Sequence, residues 1–276
     1  MTTIVDCRNL IKIHKQGNLE VVALQGLDFV MEEGEFVSVV GASGAGKSTL
    51  LRILAGLDAP SAGDVSVVGT DLTEIGERAL VDHYRRNVGF LWQDFTRNLV
   101  PYLQVLQNVE LPMLLAGVPG RRRRSRAHAL LEAVGLRNQT YAKINTLSGG
   151  EQQRLALCVA LSLGPRLLLA DEPTGELDTE TSLGIYELLR MLNVDGGLSV
   201  LVVTHDVALA TRSDRVVRLA DGRALGRHHQ REAAVVPVAG TGTVEVPRDM
   251  LLEAGITDRV RVRLVEEGLL LEPAED

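Results

Sequence analysis

The first chemical signal is the stretch Gly41-Ala42-Ser43-Gly44-Ala45-Gly46-Lys47-Ser48-Thr49. It fits the spacing G-x-x-x-x-G-K-[ST] of a phosphate-binding P-loop. Glycines there let consecutive backbone N–H groups converge on an anion with no Cβ in the way. Lys47 can reach the outer two phosphates of a nucleotide, and the Ser48 hydroxyl can be offered to Mg²⁺. Gly41, Ser43, Gly44, Ala45, Gly46, Lys47, Ser48 and Thr49 are therefore candidate phosphate ligands. A plain Gly/Ser turn has no need of Lys-Ser-Thr at that offset.

A second signal is the acid pair Asp171-Glu172, which ends the apolar run Leu167-Leu168-Leu169-Ala170. A carboxylate at the C-terminal end of a parallel strand beside a P-loop is placed to hold Mg²⁺, the task assigned to Asp171. Glu172 can polarise an attacking water. Ser148-Gly149-Gly150-Glu151 has the form of a helix N-cap with an acid three residues on. Its hydroxyl and backbone N–H groups suit a second phosphate contact, although a helix cap alone would look the same. His205 ends the apolar run 199–204, where it is either structural or within reach of a terminal phosphate.

Several elements have to position these groups. The run 36–40 reads as a buried strand, and residues 50–55 as the first turns of a helix whose N-terminus adds partial positive charge. Short apolar runs at 4–5, 10–11, 21–24 and 27–30 predict an antiparallel β layer, with a turn at Glu33-Gly34. Further strands are expected at 65–68, 88–93, 167–171, 199–206 and 216–220, with a helix over 181–192. Residues 99–146 turn to helical periodicity and predict a helical insertion. Arg121-Arg122-Arg123-Arg124 is placed in a loop before the second of these helices. It reads as a solvated charge run or as a contact for anionic lipid headgroups. The predicted class is thus α/β, a P-loop NTPase with an antiparallel β layer and a helical subdomain.

Composition bounds the function. At 276 residues, 45% hydrophobic and 24% charged, the chain has room for one large domain and a small appendage. A net charge of −7 and an aromatic share of 3% argue against nucleic acid as main partner. No stretch has the length of a membrane span: the most apolar region, 155–170, is broken by Gly164, Pro165 and Arg166. The first residues lack the basic start and apolar core of a secretory signal. Cys7 and Cys158 have no metal spacing and read as buried thiols of a reducing cytoplasm.

Taken in order, the loop at 41–49, Gln93, Leu147-Ser148-Gly149-Gly150-Glu151-Gln152-Gln153-Arg154, the strand 167–173, Leu177-Asp178 and His205 resemble the ATP-binding subunit of an ABC transporter. The resemblance covers about residues 4–225, with the helical subdomain at about 94–160. It implies ATP and Mg²⁺ as cofactors and a homodimer that sandwiches two ATP molecules head to tail. Each ATP would lie between one subunit's P-loop and the partner's Ser148, Gly149 and Gly150. It also implies Glu172 as general base, His205 as γ-phosphate contact, Gln93 as sensor of Mg²⁺ and the attacking water, and Asp178 as a cross-dimer link. Gln107-Asn108-Val109-Glu110-Leu111-Pro112 and the stretch 171–178 resemble the macrolide-exporter, lipoprotein-release and cell-division branch (MacB/LolD/FtsE). Members of that branch work with a separate permease of few spanning helices. The implied place is cytoplasmic, held peripherally on the inner face of the cell membrane through that permease.

Three features depart from the branch pattern. His14 stands where an adenine-stacking aromatic is usual, Val159 where an arginine is usual, and the segment between Gln93 and Pro101 is slightly long. The tail exceeds what the branch needs. Residues 226–233 read as a linker. A hairpin is expected over 234–246, a short helix over 247–254 and strands at 259–264 and 269–271, more weakly resembling an AbrB/MazE-type module. Such modules often bind DNA, but from Arg231 onward there are five arginines against ten acids. A dimerisation or regulatory role for 234–276 is the favoured reading. The rivals to a transporter subunit are a nucleic-acid-acting ABC ATPase and an ATP-switched regulatory protein working through this tail.

Overall fold

The computed structural model describes residues 2–16, 19–175, 177–225, 260–265 and 268–273. The chain divides into two compact units, Met1–Gly226 and Arg227–Asp276.

The first unit is built on β3 (Phe36–Val40), β7 (Leu167–Asp171) and β8 (Ser199–Thr204), in which every residue is buried. Burial on both faces is the condition of a parallel sheet covered on each side, and explains why these strands read as unbroken apolar runs. With β6 (Val88–Leu91), β9 (Arg215–Ala220) and β10 (Arg223–Leu225) they form a sheet of order β10-β9-β3-β8-β7-β6. All neighbours are parallel except β10, which turns back on β9.

The two-residue period of the strands sorts the interior into two cores. Phe36, Leu168, Ala170, Val200 and Val202 face one core with α5 (Gly149–Leu161) and α6 (Thr179–Gly196). Val37, Val39, Leu167, Leu169, Leu201 and Val203 face the other, with α1 (Lys47–Leu54) and the antiparallel layer. That layer consists of β1 (Thr3–Gln16), β2 (Leu19–Glu32), β4 (Ala62–Val67) and β5 (Thr70–Asp71) in the order β2-β1-β4-β5. The free thiols Cys7 and Cys158 lie one in each core, and burial pushes the Cys7 thiol up to about 12.

α2 (Glu77–Asn87), α3 (Val105–Leu115) and α4 (Gly120–Ala133) lie between β5 and α5 in the chain, and a short helix α7 (Val207–Ala210) comes after β8. Buried Asn108 fixes the start of α3. Its side chain accepts from Val100 N at 2.7 Å and donates to the carbonyls of Val100, Leu103 and Gln104.

The structure corrects several expectations. The four apolar runs of the first layer belong to two long strands, because bulges near Asn9 and Gly26 absorb the breaks in alternation. The strand expected to reach Gln93 ends at Leu91, and the one expected to reach Asp206 ends at Thr204. α6 extends beyond 181–192 at both ends, from the Asp178 N-cap to Gly197 in a left-handed C-cap. α2 has no counterpart among the expected elements: its one apolar stripe, Leu80, Val81 and Tyr84, stands among charged residues, and His83 is its only buried residue. Arg121–124 are not in a loop but form the first turns of α4, where arginine is a good helix former and Ala127 and Leu131 anchor the helix in the core.

In the second unit β11 (Val260–Val265) and β12 (Gly268–Pro273) pair as an antiparallel hairpin, from Val260 against Pro273 to Val265 against Gly268. The strand runs expected at 259–264 and 269–271 fall on these two strands, Arg259 excepted. The expected linker 226–233, hairpin 234–246, helix 247–254 and Arg259 lie outside the described residues.

Candidate active site

The loop at 41–46 joins the end of β3 to the start of α1, so α1's N-terminus points into it. Gly46 has φ 96°, and a Cβ there would collide with the Ala23 carbonyl of β2. Gly44 is also left-handed, φ 82°, but has no protein atom within 4 Å of its Cβ position. One glycine thus permits close packing and the other opens the loop as a cradle for an anion. Buried Lys47 curls back over this cradle, its Nζ donating to the carbonyls of Gly41 at 2.8 Å and Ala42 at 3.0 Å. Those acceptors are neutral, and a charged phosphate oxygen is the stronger partner for an ammonium.

Ser48 Oγ donates to Asp171 Oδ1 at 3.0 Å. Asp171 is buried, and desolvation raises its carboxyl pKa, with Glu172 adding to the rise and the Ser48 hydrogen bond and Lys47 opposing it. A carboxylate kept partly out of water and paired with a hydroxyl is the sparse oxygen set that Mg²⁺ uses when nucleotide phosphates complete its shell. Among the described residues no group of three or more His, Cys, Asp or Glu side chains could hold a metal independently.

Glu172 turns out of β7 into the left-handed region, φ 46°, which costs a non-glycine residue about 1–2 kcal/mol. Neighbouring β8 holds it there. Glu172 N donates to Val203 O at 2.8 Å, and both His205 N (3.2 Å) and His205 Nδ1 (2.8 Å) contact Glu172 Oε2. The Glu172 side chain is largely buried while His205 is mostly exposed.

One cleft of about 570 Å³ is lined by Ser43, Gly44, Gly46, Lys47, Ser48 and Thr49 together with Gln93, Glu172 and His205; Gly41, Ala45 and Asp171 are not among its lining residues, Asp171 standing behind Ser48. Val21, Val22 and Ala23 of β2 complete the lining. His14 is not among the lining residues; it pairs with Val21 across β1 and β2. Val21 and Val22, about half exposed, supply apolar surface there. A Val-Val pair on a strand next to the loop was the available signal.

Gln93 is fixed by neighbours that sequence reasoning also missed. Asn98 Oδ1 accepts from Trp92 N at 3.1 Å and Asn98 Nδ2 donates to Phe90 O at 2.8 Å. β6 is the edge strand, so this amide continues its ladder in place of a further strand. Arg97 lies over the Trp92 ring at 3.8 Å, and Trp92 packs on Phe90.

Ser148, Gly149 and Gly150 line no part of this cleft. Ser148 is the N-cap of α5 in a reciprocal capping box: Glu151 N donates to Ser148 Oγ, and Ser148 N to Glu151 Oε2 at 2.8 Å. That last bond holds the Glu151 carboxyl below its ordinary range. Asp178 caps α6 through Thr181 N and Oγ1, which lower its pKa in the same way. The two caps abut: a Cβ on Gly150 would stand 2.6 Å from Thr181 Cγ2. Buried Gln153 then ties α5 to the turn after the acid pair, donating to Pro173 O at 2.7 Å.

Away from the cleft, an apolar groove of about 430 Å³ lies between the start of β6 and α2 on one side and α3 and the end of α5 on the other. Leu80, Val81, Pro112 and Leu115 are among its walls, and Val81 and Leu115 are more than half exposed. No helix among the described residues is long and apolar enough to cross a membrane.

Comparison with known proteins places this arrangement. The description of the ABC transporter family matches residues 24–175. An uncharacterized ABC transporter ATP-binding protein of Thermotoga maritima is 44% identical over 226 residues, 82% of this chain and 95% of that one. The lipoprotein-releasing system ATP-binding protein LolD of Ruegeria pomeroyi is 50% identical over 204 residues, 74% of this chain and 89% of its own. Among solved structures, the ATP-binding cassette MJ0796, a dimer in a post-hydrolysis state bound to ADP and Pi, superposes with a TM-score of 0.73. It is 38% identical and covers 80% of this chain and 97% of that one. The family match over more than half of the chain, and relatives 44% and 50% identical over most of both chains, mean that the chain belongs to the ABC transporter family as an ATP-binding subunit.

Proposed function

We propose that the chain binds Mg·ATP in the cleft of Lys47, Ser48 and Glu172, pairs head to tail with a second copy, hydrolyses the nucleotide and drives a separate few-span permease. One observation carries the reading. Ser48, backed by its hydrogen bond to Asp171, and the pair Glu172–His205 converge with Lys47 on one cleft, whereas Ser148, Gly149 and Gly150 lie outside it. Those three can reach a nucleotide only in the cleft of another subunit, where Asp178 would stand beside them as a cross-dimer link.

In this reading the amides of 41–46 and α1's N-terminus hold the β-phosphate, and Lys47 exchanges its two carbonyl partners for phosphate oxygens. Ser48 and Asp171, with Gln93 at the edge, would hold Mg²⁺, which neutralises charge on the outer phosphates. Glu172 takes a proton from the attacking water. Its Oε2 is already engaged by His205, which leaves Oε1 for the proton. His205 reaches the γ-phosphate through Nε2, and doing so while Nδ1 donates to Glu172 requires both ring nitrogens to carry protons. Val21 and Val22 pack against the base, with His14 behind them.

The apolar groove, which shares β6 with the Gln93 segment, is the seat of a permease segment. This places the subunit peripherally on the cytoplasmic face of a membrane. Residues 226–233 serve as a linker and 234–276 as a small dimerisation or regulatory module, since so short a unit gains most of its core by pairing. The nucleic-acid and regulatory readings are not favoured, because the relatives' names are those of transport-system subunits.

The test is purification of the tagged chain from detergent-solubilised membranes of its host, with ATPase assay of the product. A permease recovered in stoichiometric amount, with ATP hydrolysis that Lys47→Ala abolishes, is the expected result. Recovery of the chain alone would overturn the transporter reading, and unchanged hydrolysis in Lys47→Ala would overturn the site.

A further inference from the structure

The start of α4 gathers positive charge where a helix tolerates it least. Arg121, Arg122, Arg123 and Arg124 come directly after Gly120, no acid stands in the first turn, and the N-terminal dipole repels cations. The helix's only acid, Glu132, sits near its other end and is taken by Arg137 at 2.7 Å. Two arginines of this helix are used internally. Arg123 bonds Val118 O at 3.2 Å and lies 3.7 Å from Glu110, and Arg126 caps α5 through Ser162 O at 2.6 Å and Leu161 O at 3.1 Å. Arg121, Arg122 and Arg124 are exposed and, among the described residues, make no side-chain hydrogen bond or ion pair.

Immediately before this turn, α3 ends in Leu114 and Leu115, 54% and 69% exposed. Exposed leucines at the end of one helix, followed within ten residues by guanidinium groups at the start of the helix packed on it, are the composition of a surface that rests in an anionic membrane interface, charges on phosphates and leucines at the acyl boundary. Leu115 also lines the groove assigned to the permease, so this corner stands at the groove's rim. The rest of the molecule argues against nucleic acid, since the whole chain carries a net charge of −7.

We propose that the α3–α4 corner, through Arg121, Arg122, Arg124 and Leu114, binds the anionic lipid headgroups of the bilayer that holds the permease. The orientation rests on the permease reading above, but the binding itself needs no permease. A second attachment of this kind would hold the subunit level against the membrane and limit its rocking during the ATP cycle.

The experiment is co-sedimentation of the full chain with vesicles of phosphatidylcholine alone, or mixed with phosphatidylglycerol. Binding is expected to the mixed vesicles only, and to fall as salt is raised. At about fivefold per arginine, the triple variant R121Q/R122Q/R124Q should bind about 100-fold more weakly, with ATP hydrolysis in solution unchanged. Leu114→Ser should weaken binding with no change in its salt dependence. Equal binding to both vesicles, undiminished binding of the triple variant, or tighter retention on duplex DNA than on the anionic vesicles would overturn the proposal. The permease reading fails separately. It fails if no permease accompanies the tagged chain out of detergent, where the triple variant should co-purify as well as the parent.

Discussion

The side chain of Gln153 donates to the carbonyl oxygen of Pro173 at 2.7 Å, and both atoms are buried. Gln153 stands one turn into α5, whose first residues are the proposed contact for the partner's nucleotide. Pro173 comes directly after the proposed metal ligand and base. Movement of α5 is therefore transmitted to the turn that sets Glu172 by a bond that water does not loosen. Replacing Gln153 by leucine leaves a buried carbonyl without a donor, at about 1–3 kcal/mol. Thermal denaturation should register that loss, and kcat should fall by more than KM for ATP rises. A variant that is destabilised but hydrolyses ATP normally would show that the bond only packs the helix.

Asp171 is less favourable to the folded state as a carboxylate than as a neutral group, because burial raises its pKa. Below the unfolded value the carboxyl is neutral in both states and costs nothing, and as pH climbs past the raised folded value the penalty comes into force. Asp171→Asn removes that penalty and keeps a partner for Ser48. It should gain about 1 kcal/mol at neutral pH, or about 2–4 °C in Tm, and lose the advantage toward pH 4. Magnesium-dependent nucleotide binding should disappear in the same variant. A Tm that drops at neutral pH would mean the carboxylate is better compensated than its burial implies.

The legibility of this chain depends on the range of the interactions involved. The loop at 41–49 and the acid pair were readable because a parallel strand buried on both faces is an apolar run, and the site residues sit at the C-terminal ends of two such runs. The β1–β2 layer was readable as strands but not as two long ones, since Asn9 and Gly26 break the alternation locally while pairing continues. α2 was hidden because Leu80, Val81 and Tyr84 are its only large apolar residues in eleven, a stripe too short to stand out from the charges around it. Gln153 acts through a side-chain bond to backbone 20 residues away, and Asn98 and Asn108 through bonds to backbone 4 to 8 residues back across a turn, and no residue pattern announces such bonds. His14 is legible only by its place in a family pattern, and it lies outside the residues that line the cleft, where Val21 and Val22 stand.

Asn98 offers a test of how the Gln93 segment is held. Trp92 is the chain's only tryptophan and lies inside the clasp, so its fluorescence reports the clasp directly. Asn98→Ala removes both bonds that extend the β6 edge and should shift Trp92 emission to the red. Misplacing Gln93 by about 1 Å should then slow hydrolysis by about 10- to 100-fold, with ATP affinity changed by much less. Asn98→Asp keeps the acceptor for Trp92 N and loses the donor to Phe90 O, so it should fall between Asn98→Ala and the parent. Normal turnover together with shifted emission would separate Gln93 placement from catalysis.

Glu172→Gln separates placement from chemistry at the proposed base. The glutamine is isosteric, and its carbonyl oxygen can still accept from His205 N and from a protonated His205 Nδ1, so the left-handed turn at φ 46° remains held. What is lost is a carboxylate able to take a proton from water. Hydrolysis should fall by about 10²–10⁴-fold while ATP still binds, and the ATP-bound dimer should accumulate as an early-eluting species in size-exclusion chromatography. His205→Ala makes the complementary change, keeping the carboxylate and removing one of its two restraints. If His205 mainly positions Glu172, turnover should drop with dimerisation intact; if it mainly meets the γ-phosphate, dimerisation should weaken as well. Undiminished turnover in Glu172→Gln would remove Glu172 as base and leave its strained backbone without a functional explanation.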